Sequence, residues 1–71
     1  MSIEAKIATL TGREREVLSH VVAGRLNKQI AYDLGTVEKT IKFHRSSIMK
    51  KLEVRMVADL VRLAEKAGIS K

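Results

Sequence analysis

The chain contains no cysteine, no proline and no tryptophan, and its only aromatic side chains are Tyr32 and Phe43. The lack of cysteine excludes disulfides, thiolate metal sites and cysteine nucleophiles together. No apolar run approaches the ~20 residues that a bilayer-spanning helix needs, so no membrane partner is expected. Acid is scarce as well: 8 Asp+Glu stand against 14 Lys+Arg, for a formal charge of +6. With 71 residues, a chain buries only roughly 60% of its unfolded surface, which means one domain with a small core. Such a domain has no room for both a core and a substrate pocket of ordinary volume. The expectation is a protein that is not an enzyme. A small basic domain has a polyanion as its obvious class of partner.

What is present is helical periodicity. There is no sustained alternation and no hairpin turn pair, so the fold class is all-α. Residues 1–9 show weak periodicity and read as a leader or linker remnant. The first helix starts at a capping box, Thr11 with Glu14 three residues on, continues through Val17, Leu18, Val21 and Val22, and ends at Gly24. A second, short helix has Asn27 as its candidate cap, Ile30, Ala31 and Leu34 as its inner stripe, and Gly35 as its stop. The third runs from about Glu38 to Leu52, with Ile41, Ile48 and Leu52 inward and His44 or Arg45 between them. The fourth spans about 56–67 and stops at Gly68. Four helices over residues 10–68 make the domain.

A short helix, a tight turn at Gly35 and a longer helix form the layout of a helix-turn-helix. Charge gathers on the longer helix. From Thr36 to Leu52 there are five cations (Lys39, Lys42, Arg45, Lys50, Lys51) and one acid, Glu38. Ordinary surface helices carry opposing acids at i,i+4; here they are nearly missing after Glu38, and DNA phosphate is the natural counterion. Lys42 is positioned to donate to guanine O6 or N7. Phe43 is either a core residue or an apolar contact to a thymine methyl. Lys39, Thr40, Arg45 and Lys50 suit phosphate, with Asn27 and Lys28 at the start of the short helix. Arg45 has a second reading, a pair with an acid on a neighbouring helix, and Lys51 fits either edge. His44 reads as packed and hydrogen-bonded: His20 is the only other histidine, no spacing resembles a zinc motif, and neither metal nor cofactor is expected. The serines form no plausible triad.

Four blocks of residues carry a family resemblance: Leu10-Thr11-x-Arg13-Glu14-x-Glu16-Val17-Leu18, Asn27-Lys28-x-Ile30-Ala31-x-x-Leu34, Lys39-Thr40-Ile41-Lys42-x-His44, and Ile48-Met49-x-Lys51-Leu52. Together they resemble the LuxR-type helix-turn-helix domain, the output domain of quorum-sensing regulators and of response regulators resembling NarL and FixJ. The resemblance implies a four-helix DNA-binding domain with a recognition helix at about 38–52 in the major groove and a dimerisation helix at about 56–67. It implies that Lys42, Phe43 and Ser46 face bases. It implies transcriptional regulation in the bacterial cytoplasm, at the nucleoid when bound. The partners it implies are double-stranded DNA, a second copy, an N-terminal receiver or ligand-binding domain in a longer protein, and RNA polymerase.

Four positions depart from the family pattern. Thr36 and Val37 stand in reverse order to the usual aliphatic residue followed by Ser or Thr. Val37 has no oxygen to cap with, so either Thr36 caps a helix starting one residue earlier or the end is left to water and DNA. Glu53 occupies a position that is usually glycine. Met56 replaces a polar cap, which suggests a partner covering it. With Leu60, Leu63 and Ala67, Met56 makes the candidate dimer contact, and two copies would read half-sites about one helical turn apart. The competing reading is a protein–protein adaptor that sets the basic helix against an acidic partner.

Overall fold

In a computed structural model, which describes residues 2–69, the chain forms five helices: α1 (Ile3–Ala8), α2 (Gly12–Val22), α3 (Asn27–Leu34), α4 (Glu38–Lys51) and α5 (Val57–Lys66). The four expected helices are α2 to α5. The additional one, α1, falls where a leader or linker remnant was expected. Ser2 caps it by accepting from the Ala5 N–H at 3.1 Å, and Ile7 packs against the core. Six residues are too few for periodicity to show, and too few to hold a helix without tertiary contact.

The capping box of α2 closes in both directions. The Thr11 hydroxyl accepts from the Glu14 N–H at 3.1 Å, and the Glu14 carboxylate accepts from the Thr11 N–H at 2.9 Å. The start of α3 differs from expectation. Leu26 holds the cap position, and its N–H donates to the Gln29 side chain at 2.9 Å. Asn27 is already inside the helix, and its oxygen is used elsewhere. Val37 is the cap residue of α4 without a side-chain hydrogen bond, so Thr36 does not take that role and the helix start is open.

One device ends each of the four longer helices. The N–H two residues beyond the last turn reaches back over it: Arg25 to the His20 carbonyl, Thr36 to Ala31, Val54 to Met49 and Ile69 to Ala64, all between 2.9 and 3.1 Å. The residue before each donor must take a positive φ. Three of these are glycine, Gly24, Gly35 and Gly68; the fourth is Glu53, at φ 58°.

α4 is the centre of the packing, with α3 against one flank and α2 against another, while α5 lies on α2. Val17, Leu18, Ile30, Ile41, Ile48, Leu52 and Leu60 are fully buried at the junction. Ile41 and Ile48 are two turns apart on one stripe of α4, so burying them forces the opposite stripe outward.

Candidate nucleic-acid interface

The outward stripe of α4 carries Lys39, Lys42, Phe43, Ser46 and Lys50, all exposed. Phe43 is 70% exposed, which removes the core reading for it. Its ring meets His44 edge-on, with centroids 6.0 Å apart. Thr40 and His44 are half-buried at the margins of the stripe, and Lys28 is exposed near the start of α3.

The five cations of this segment divide into two groups. Lys51 turns inward, its Nζ 2.7 Å from Oε1 of Glu14 and 3.4 Å from the Thr9 carbonyl. Ser47 donates to the other oxygen of Glu14 at 2.7 Å. Glu14 is the one buried charged residue among those described, at 4% exposure. Burial by itself would raise its pKa. The hydrogen bonds from Lys51, the Thr11 N–H and Ser47, with the Lys51 charge, outweigh burial and lower it to about 2. Lys39, Lys42, Arg45 and Lys50 form no ion pair among the described residues. The α4 surface is therefore a stripe of unneutralised cations around an exposed aromatic ring.

Arg45 is half-buried and donates from Nη1 to Oδ1 of Asn27 at 2.6 Å. This replaces the reading in which Arg45 pairs with an acid on a neighbouring helix. Both residues line an open cleft of about 590 Å³ beside the start of α3, together with Lys28, Arg25, Val21 and Val57. Arg25 forms an ion pair with Asp33. No group of three or more His, Cys, Asp or Glu able to hold a metal ion occurs among the described residues, and no described helix is long and apolar enough to cross a membrane.

On α5 the expected dimer set divides. Leu60 is 0% exposed within a single copy. It closes the core and has no surface to offer a partner, so it leaves the set. Met56 is 63% exposed, Leu63 and Ala67 are half-buried, and their i, i+7, i+11 spacing keeps them on one flank. The Glu14–Ser47–Lys51 cluster was missed in the sequence beyond the capping role of Glu14, because its members are separated by 33 and 37 positions.

A family model for bacterial regulatory proteins of the luxR family matches residues 8–64. The transcriptional regulatory protein FixJ of Rhizobium meliloti is 47% identical over 66 residues, covering 93% of this chain and 32% of that protein. Nodulation protein W of Bradyrhizobium diazoefficiens is 42% identical over 69 residues, covering 97% of this chain and 30% of its own length. Among solved structures, the response regulator StyR superposes with a TM-score of 0.88 at 52% identity, covering 90% of this chain and 32% of that one. The chain thus spans about a third of the length of the relatives it matches.

Proposed function

The chain belongs to the luxR family of bacterial regulatory proteins, and from that membership we propose that it reads a specific double-stranded DNA sequence as the output domain of a response regulator. Its relatives are named as transcriptional and response regulators, and its work is regulation of transcription rather than catalysis. α4 enters the major groove. Lys42, Phe43 and Ser46 meet base edges there, while Lys28, Lys39, Thr40, Arg45 and Lys50 engage phosphates on either side.

The observation that carries this reading is the charge division on α4. One cation is neutralised internally by Glu14 and the other four take no acidic partner among the described residues. Four unpaired cations on a single helix repel one another, and a phosphate backbone relieves that repulsion.

Two copies joined along the Met56, Leu63 and Ala67 flank of α5 would place two α4 helices on half-sites about one helical turn apart. A receiver domain in the longer protein would control this pairing, and RNA polymerase would be the downstream partner in the bacterial cytoplasm. The test is sedimentation of the purified chain with a DNA duplex enriched from a random pool, in competition with a scrambled duplex. Two copies on the enriched duplex, held at least ~10³-fold more tightly than on the scrambled one, is the expected result. Equal binding to both duplexes would contradict sequence reading, and a single copy would contradict the dimer.

A further inference from the structure

Two cations of α4, Lys51 at its end and Arg45 at its middle, are held in different ways. Lys51 is held by the carboxylate of Glu14, which cancels its charge. Arg45 is held by the amide oxygen of Asn27 at 2.6 Å, which fixes its direction and leaves its charge intact. Arginine carries only donors, so the amide must present its oxygen to it. The hydrogen bond joins the first residue of α3 to the middle of α4 across 18 positions of chain. Both side chains are half-buried, and Arg45 borders the cleft beside the start of α3 with Lys28 and with Glu38 on its rim.

We propose that Asn27 is a positioning residue for DNA binding: it orients the Arg45 guanidinium toward a backbone phosphate and contributes to affinity through Arg45, instead of contacting the phosphate itself. The proposal rests on the DNA-binding reading above. One guanidinium N–H is committed to Asn27, and the remaining donors keep the planar fork that suits a phosphate. Fixing a long side chain before binding removes an ordering cost at the moment of binding. An aspartate at 27 would hold Arg45 equally well and cancel the charge that the phosphate needs. The neutral amide is the choice that does one without the other.

The test compares wild type, Asn27→Ala, Arg45→Ala, the double variant and Asn27→Asp by fluorescence anisotropy on an enriched duplex and a scrambled one over a salt series. Arg45→Ala should lower the salt slope by about 1, whereas Asn27→Ala, which leaves that charge in place, is expected to weaken both duplexes by about 3–10-fold with the slope nearly kept. It should add nothing once Arg45 is alanine. Asn27→Asp should lower the slope by about as much as Arg45→Ala does while its thermal midpoint holds or rises. A loss from Asn27→Ala that persists in full on the Arg45→Ala background would overturn the proposal, as would an unchanged slope in Asn27→Asp. A measurement that needs no variant is ¹⁵N relaxation of the Arg45 Nε–H in the free protein. Order close to that of the helix backbone, about 0.85, is expected, and a value below about 0.6 would overturn the positioning role. Failure of the wild type to bind any duplex would instead sink the DNA reading, a separate and distinguishable result.

Discussion

The ammonium of Lys51 lies 2.7 Å from Oε1 of Glu14, tying the last turn of α4 to the first turn of α2. Ser47 and the Thr11 N–H occupy the same carboxylate, so one buried acid serves a helix cap and a tertiary contact together. This cluster fastens the end of α4 to the start of α2.

That arrangement makes stability depend on acid in a defined window. The Glu14 pKa is lowered from 4.5 to about 2 in the folded protein. A depressed carboxylate pKa stabilises the fold above the unfolded value and loses that effect as pH falls toward the folded one. The contribution is on the order of 3 kcal/mol, present near neutrality and lost between about pH 4.5 and 2. Glu14→Gln should melt well below wild type at pH 7, and the gap should close as pH falls toward 2. A gap independent of pH would contradict the assignment.

Glu53 sits at φ 58° where the three other helix ends have glycine. Its carboxylate pairs with Lys6 at 3.1 Å, but it is 70% exposed, and such pairs are worth little. Glu53→Gly should therefore stabilise by about 0.5–1 kcal/mol, raising the midpoint by about 2–8 °C in a domain of this size. A fall in the midpoint would mean that the Lys6 pair outweighs the backbone strain.

The open start of α4 makes a second stabilising change. Val37 holds the cap position without a hydrogen bond, and Val37→Ser supplies the missing acceptor. A gain of about 1 kcal/mol by denaturant titration is expected. No gain would show that the α4 N–H groups are already satisfied by solvent.

At α5 the buried Leu60 and the exposed Met56 before its first turn should respond differently to truncation. Leu60→Ala removes a fully buried side chain and should cost about 2–5 kcal/mol. Met56→Ala acts on an exposed side chain and should leave the melting of a single copy within about 0.5 kcal/mol, while reducing the two-copy complex on DNA. Equal effects of the two on folding would contradict the burial of Leu60 and the exposure of Met56.

Much of this was legible in the sequence because the deciding interactions are local. The Thr11 and Glu14 capping box, the glycine stops and the stripe of Ile41 and Ile48 each depend on residues within one or two turns. What could not be read is non-local or concerns width. Periodicity places Leu60 on an apolar face but does not say whether the core or a partner covers it; contact with α2 decides. Asn27 reads as a cap by residue type, yet the helix starts one residue earlier, with Leu26 at the cap and its carbonyl accepting the Ile30 N–H, so the Asn27 oxygen is left to accept from Arg45. Lys51 reads as an ordinary cation until folding brings Glu14 to it from 37 residues away. The helix α1 is six residues long, below the length at which a repeat can be seen.

The most direct test of the central claim is a selection from random duplex DNA at about 150 mM salt, with wild type and Lys42→Ala run side by side. Wild type should enrich an inverted repeat, and the variant should relax the preference at one base pair of each half-site, at a cost of about 1–3 kcal/mol there. Enrichment of no sequence by wild type, or an identical preference in both proteins, would contradict base reading by this face of α4.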